Sequence, residues 1–364
     1  MPTCQAQCKH RRRIGPDQDA PVNSLLLIPA QAMSHHHLYA IGNALVDTEY
    51  EVSDELLHTM GVSKRHMTLI DTPQRAELLT HVHGLHARRT GGGSAGNTVV
   101  ALAQLGGKAF YSCRVADDEL GAFYSQDLQD NGVATNLTHT QAQPGQTGSC
   151  MVLVTPDAER SMCTFLGATS QLDASALHPQ DIAKSRIYYM EGYLAASPTG
   201  LEAAVQGRQI ALEHKVATAL TLSDVSMINF CRPGLQAMIG EGLDYLFANE
   251  EEAQTWCGTT DLDAIIEQLS QLASTVCLTR GPQGSIVIQG KERSDVPAVP
   301  TRAVDTNGAG DMFAGAFLFG ITHGHSPVQS AALANRAAAA VVGQHGNRLS
   351  TTQLQTLYAD FQNA

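Results

Sequence analysis

The stretch VDTNGAGDMFAGAF, residues 304–317, runs two aspartates and three glycines into an apolar segment of helical composition, with no lysine. Two readings fit it. In one, Thr306 or Asn307 caps a helix whose first turn carries Asp311, favoured there by the helix dipole. In the other, Gly308, Ala309 and Gly310 bring backbone N–H groups close to an anion, because glycine leaves room for it. Asp311, in the first turn behind them, would then accept a proton from a hydroxyl attacking phosphorus.

Outward from this stretch the chain alternates strands and helices. Leu38–Gly42, Phe110–Val115, IYYM (187–190), VATALTL (216–222), DYLFA (244–248) and TVCLT (275–279) read as short buried strands separated by helical segments. GSIVIQ (284–289) reads as an antiparallel addition, and 308–343 as a nearly continuous helix of small residues. The pattern predicts an α/β doubly wound sheet with helices on both faces. GSCMVLVT (148–155) and SMCTFL (161–166), joined by PDAER, predict a hairpin, a small β flap over a site. Residues 71–87 read as an amphipathic helix, and LHARRT (85–90) as too polar for a buried strand.

Composition bounds the function. The 364 residues are 43% hydrophobic and 16% charged, which supports a filled core, and the net charge of −12 argues against nucleic-acid binding. Eight scattered cysteines without a CxxC pair read as reduced thiols; Cys4, Cys8 and His10 form an isolated trio in a basic leader. No apolar run reaches the roughly 18 residues of a membrane span. The expectation is a soluble, cytoplasmic protein with a disordered leader over 1–37, or an upstream start with Met33 as the natural one.

Other segments carry site candidates, each beside a plainer alternative. GGGSAG (91–96) matches G-x-G-x-x-G, with Asp117-Asp118 some way downstream as a dinucleotide site requires, but no buried strand leads into it. It could instead be a loop whose backbone, with Asn97, meets sugar hydroxyls. Asn249-Glu-Glu-Glu252 has the spacing of a capping box; beyond a strand it could also order water around Mg²⁺. Thr279-Arg-Gly281 fits a turn or a nucleotide-contacting loop. Asp47 and Glu191 follow strands and could grip hydroxyls in a shared crevice. Walker, H-E-x-x-H, G-x-S-x-G and H-R-D motifs are all absent.

Together DTNGAGD (305–311) and GGGSAGNTVVALAQLGG (91–107) resemble the two signatures of the PfkB/ribokinase family of small-molecule kinases. NEEE (249–252) and TRGPQG (279–284) follow in the family's order. YAIGNALVDTEYEVSDELL (39–57) and VLVTPDAERSMCTFLGA (152–168) look like its adenosine-kinase-like branch. Ala116 stands where many relatives have glycine.

The resemblance implies a ribokinase-like three-layer α/β/α kinase domain over 38–349. Its lid would come from parts of about 45–70 and 148–168, and a C-terminal helix would fill 350–364. It implies transfer of the ATP γ-phosphoryl to a primary hydroxyl, most simply adenosine to AMP, with a ribokinase- or fructokinase-like sugar kinase as the alternative. Asp311 would be the base, and Gly308, Ala309 and Gly310 the anion hole. Asn43, Asp47, Gly92, Gly93 and Asn97 would hold the acceptor, joined by Glu191 as in sugar-kinase members. Asn249 and Glu252 would organise Mg²⁺ through water, and Thr279, Gly281 and Asn335 would line the ATP site. Asp305 would hold a monovalent cation such as K⁺. A monomer or a homodimer is compatible. An apolar, aromatic-edged slot beside Asn97 and Phe165 would suit a purine; a closed polar pocket would suit a free sugar. A catalytically silent binding protein and an NAD dehydrogenase remain the rivals from other classes.

Overall fold

In the large sheet Leu38 and Ala40 face one helical layer, while Tyr39 and Ile41 face the other. This alternation along one short strand sets the three-layer architecture, because successive side chains in a strand point to opposite faces. The computed structural model describes residues 36–139, 142–157 and 159–363. Cys4, Cys8, His10 and Met33 lie outside them, and the first strand, His36–Ile41, begins inside the leader expected over 1–37, because His36 and His37 already pair with neighbouring strands and Lys108.

Among the described residues the large sheet has nine strands. In spatial order they are Glu292–Val296, Ser285–Gln289, Ala273–Thr279, Leu243–Asn249, Ala217–Thr221, Ser185–Glu191, His36–Ile41, Ala109–Ser112 and Ala134–Thr135. All neighbours from Ala273–Thr279 onward are parallel; the first two strands are antiparallel. Strand order reverses between His36–Ile41 and Ser185–Glu191. Such a switch point opens a crevice at the carboxyl ends of the strands.

A second sheet of five strands, Met67–Leu69, Arg160–Phe165, Ser149–Val154, Leu45–Glu51 and Ala87–Gly92, has its own small core around Leu57, Leu78, Met151 and Leu153. Ala87–Gly92 is the strand that LHARRT did not suggest. It pairs antiparallel with Leu45–Glu51 at an edge, where its arginines are exposed and a polar sequence costs nothing. The helix expected over 71–87 accordingly stops early, spanning Thr72–His81.

The long C-terminal segment is two helices, Ala309–Thr322 and Pro327–Val342, broken at Gly324 (φ +88°) and restarted by a Ser326 capping box. Ala309–Thr322 is buried along almost its whole length, with Phe317 edge-on to Tyr245 and Phe247. Burial of side chains of this size contributes about 1.5–3 kcal/mol each, so the packing, not the helix's own propensity, fixes where its first turn points. The cysteines among the described residues are unpaired. No helix of the described residues is long and apolar enough to cross a membrane.

Candidate active site

Most helices here open on a Ser, Asp or Asn whose side chain accepts from the first turn. Ala309–Thr322 does not. Its N-cap is Gly308 in the left-handed region (φ +75°), with no side-chain cap bond. The expectation of a Thr306 or Asn307 cap therefore fails, and the first turn keeps N–H groups that no side chain has claimed. Ala309 N–H is turned toward Thr306 O at 3.3 Å. Ser94–Gln104 is the other helix of the site, and its N-cap Gly93 (φ +85°) again provides no side-chain bond.

Asp311 sits between these two helix starts. Ser94 Oγ donates to Asp311 Oδ1 at 2.6 Å, and Asn97 Nδ2 donates to Oδ2 at 3.0 Å. Burial pushes the Asp311 carboxyl up to about 6, opposed by these two hydrogen bonds and by the Arg348 charge.

Asp47 lies on the small sheet beside Gly92, whose missing Cβ leaves space that would otherwise fall 2.5 Å from the Asp47 carboxylate. Asn347 Nδ2 donates to Asp47 Oδ2 at 2.9 Å. Burial raises Asp47 to about 7; Arg348 and Arg160 oppose the rise and the Asp311 charge adds to it.

Glu191 ends the strand Ser185–Glu191 at the switch point and is fully enclosed. Asn43 N–H donates to Oε1 and Ala95 N–H to Oε2, both at 2.8 Å. Burial raises its carboxyl to about 7 against these two bonds. Glu191 thus ties the loop after the first strand to the start of Ser94–Gln104. Glu191→Gln offers an amide nitrogen to one of two N–H donors, leaving that donor without an acceptor. The variant should lose about 1–3 kcal/mol of stability in denaturant titration; an unchanged midpoint would contradict this account of Glu191.

The remaining candidates form a second group. Asn249 and Glu252 build the complete capping box, and Asn249 Nδ2 also donates to Glu252 Oε1 at 2.7 Å. Burial, with the charges of Asp224, Glu251 and Asp311, raises Glu252 to about 7 against the Asn249 backbone hydrogen bond. Thr279 pairs with Asn249 across the parallel strands, and Arg280 Nε donates to Glu250 at 2.9 Å, joining the two loops. Gly281 (φ +53°) is exposed. Asn335 is buried and donates to Val296 O and Pro297 O, each at 3.1 Å. Asp305 accepts from Asn307 and Gly346 N–H and is ion-paired to Arg160 Nη1 at 2.8 Å; Arg160 also donates to Glu49.

Four residues of this network were not singled out in the sequence: Ser94, Arg160, Asn347 and Arg348. Ser94 and Arg160 lie inside quoted stretches without having been picked out, while Asn347 and Arg348 belong to no motif. The G-x-G-x-x-G match is not a dinucleotide fingerprint, since the strand before it is an antiparallel edge of the small sheet, not the first parallel strand of a βαβ unit.

A cavity of about 540 Å³ lies beside the site, and Asp311 is not among its lining residues. Leu69, Ile70, Phe165 and Leu166 give it apolar walls, and Arg114 and Gln146 polar ones. Its wall at Leu166–Ala168 runs into Thr169, whose hydroxyl meets Asn43 Oδ1 (3.3 Å) and accepts from Ala44 N–H (3.0 Å). Convergent carboxylates and uncapped helix starts, not cavity size, single out the surroundings of Asp311 as the candidate site.

The chain is similar to the adenosine kinase of Sinorhizobium meliloti, at 38% identity and a TM-score of 0.80, covering 90% of this chain and 99% of that one. It is similar to a probable sugar kinase from Rhizobium etli CFN 42, at 34% identity and a TM-score of 0.82, with 90% and 100% covered. The adenosine kinase of Schizophyllum commune is 26% identical over 360 residues, 89% of this chain and all of that protein. The pfkB family carbohydrate kinase model matches residues 63–354. The chain therefore belongs to the pfkB family of carbohydrate kinases, phosphotransferases acting on hydroxyl groups.

Proposed function

We propose that the protein phosphorylates the primary hydroxyl of a nucleoside, adenosine to AMP, with ATP as the phosphoryl donor and Asp311 as general base. One observation carries this: a half-buried carboxylate, held by Ser94 and Asn97, in the first turn of a helix with no side-chain cap, at the switch point of the sheet. Asp311 accepts the hydroxyl proton as the oxygen attacks phosphorus in line. The N–H groups of Gly308 and Gly310, on either side of the Ala309 N–H that turns to Thr306 O, face the transferring group, so little beyond positioning and charge stabilisation is required of the protein.

Asp47 and Asn43 hold the ribose hydroxyls, and the Gly92–Gly93 backbone lets the sugar approach closely. Asn97 is committed on both sides, to Asp311 and to Arg348, and so orients the base. The purine occupies the cavity lined by Phe165, whose ring carries the Arg75 guanidinium 5.2 Å from its centroid. A cavity of that size is within the usual range for small-molecule sites. The small sheet acts as the lid that keeps water from the phosphoryl group. Glu191 spends both oxygens on backbone N–H groups, which favours a nucleoside over a sugar gripped by that carboxylate.

Magnesium fits the acidic side of the site. Glu252 is raised by burial and by neighbouring acids, a surplus of negative charge that a cation relieves. Among the described residues no three acids, histidines or cysteines converge as a direct ligand set, so the ion would keep several waters. When bound it supplies countercharge to the phosphates. Asp305 is already paired with Arg160, which supplies the positive charge a monovalent cation would otherwise bring.

A panel of nucleosides and sugars with ATP, scored by product chromatography, tests the assignment. Adenosine should exceed any hexose by about 100-fold or more in kcat/KM, because a site built for a base leaves polar groups unpaired with a bare sugar. Rapid hexose turnover without AMP formation would reverse the assignment to a sugar kinase.

A further inference from the structure

We propose that Arg348 is a positioning residue for phosphoryl transfer: clamped between Asp127 and Asn97, it fixes the polarity of the Asn97 amide and thereby the placement of Asp311. The proposal rests on the assignment of Asp311 as base. Arg348 lies in the loop after Pro327–Val342, with its side chain only 10% exposed. Its Nε donates to Asn97 Oδ1 at 2.8 Å, and its Nη1 to Asp127 Oδ2 at 2.6 Å.

The argument is one of donor and acceptor inventory. A guanidinium only donates, and an ionised carboxylate only accepts. Asn97 stands between Arg348 and Asp311 and can satisfy both in a single orientation, oxygen to the arginine and nitrogen to the aspartate. Without the arginine, the amide is free to turn and present its oxygen to Asp311, which repels the carboxylate it now supports. The clamp is built in from a third side. A side chain at Gly91 would overlap the Asp127 carboxylate and come within 2.9 Å of both Arg348 Nη atoms. The strand Ala87–Gly92 therefore ends flush against the ion pair. Arg348 Nη2 is buried without a partner among the described residues. The placement of the side chain is set by its contacts with Asn97 and Asp127.

Arg348 also acts through charge. The groups that touch Asp311 or feel its charge are Ser94 and Asn97 from one helix, Asp47 from the small sheet, Tyr189 and Glu191 from the strand at the switch point, and Tyr193 and Glu252 beyond. Arg348 lowers both Asp311 and Asp47 against burial. The base must be ionised to work, so activity falls as pH drops through its pKa, and loss of Arg348 must move that acid limb upward.

The test is the pH profile of kcat for the full chain with adenosine and Mg·ATP, in Arg348→Met and Arg348→Lys. Arg348→Met should raise the acid limb by about one pH unit and lower plateau kcat by about tenfold or more through misplacement of the base, with a smaller change in KM. Arg348→Lys keeps the charge without the fork, so it should return the limb toward wild type and leave the plateau low. Should Arg348→Met fail to fold, the lysine variant alone decides: a wild-type plateau would overturn the proposal. A wild-type profile in folded Arg348→Met, with only a lower Tm, would make the ion pair merely structural and overturn it too. Asp311→Asn separates the two levels. If that variant stays active, the base assignment itself fails; if it is inactive while Arg348→Met behaves as wild type, only the role of Arg348 fails.

Discussion

Asp311→Asn should lower kcat by about 10²–10⁴-fold, the range general-base catalysis contributes, while leaving nucleoside affinity within about threefold. The substitution isolates chemistry from structure for a reason visible in the hydrogen bonds. Asn97 has its oxygen fixed by Arg348, so it can only donate toward residue 311. An asparagine there must turn its oxygen to Asn97 and its nitrogen to Ser94. Ser94 allows this, because a hydroxyl that donates to Asp311 can equally accept from an amide. No buried group is left unmatched, and the Tm should stay close to wild type. The proton acceptor is gone, since an amide does not take a proton from an alcohol. Steady-state kinetics together with calorimetric binding of adenosine check both halves. Turnover within threefold of wild type would remove Asp311 from the chemistry and with it the placement of the reacting hydroxyl.

The six longer parallel strands of the large sheet were legible because each is a short apolar run, largely buried, the pattern a doubly wound sheet imposes, whereas the two-residue edge strand Ala134–Thr135 was not read. Edges were not. Ala87–Gly92 and Glu292–Val296 are polar because they border solvent, and nothing in ARRTGG or ERSDV distinguishes an edge strand from a loop. The two C-terminal helices read as one since a single Gly324 between histidines is weak punctuation. Within the site, Asn249 and Glu252 could be read as a capping box from spacing alone, as local partners are three residues apart. Asn347 and Arg348 could not. Their partners Asp47 and Asn97 are 300 and 251 residues away in sequence. Only the fold brings them together, and one sequence carries no signal for such a pairing. The same holds for Arg160, which reaches Asp305 from the other sheet.

The loop that carries those two residues is also what makes Gly308 irreplaceable. Gly308 adopts φ +75°, where a Cβ costs about 1–2 kcal/mol, and a Cβ there would lie 2.6 Å from Asn347 O and 2.9 Å from Asn347 Cβ. Both obstacles belong to the backbone or its first side-chain atom, so neither can swing aside. Gly308→Ala must push the 346–348 segment away. That segment supplies Gly346 N–H to Asp305, Asn347 to Asp47 and Arg348 to Asn97. One methyl group thus disturbs the first turn of Ala309–Thr322, the partner of Asp47 and the support of Asp311 together, the three parts to which the proposed mechanism assigns anion binding, acceptor binding and proton transfer. Strain and overpacking should sum to about 2–4 kcal/mol of lost stability, and kcat/KM should fall by about 100-fold or more from misplacement of order 1 Å. Gly310→Ala provides the contrast. Its Cβ would meet nothing within 4 Å and its φ is not positive, so the protein itself has no objection to it. Its Tm should be at or above that of the wild type, and a fall in kcat would come from crowding of the incoming phosphoryl group alone. If Gly308→Ala kept wild-type stability and turnover, the 346–348 loop would not be the buttress of this site; if Gly310→Ala kept full turnover, the phosphoryl group would not pass over that turn.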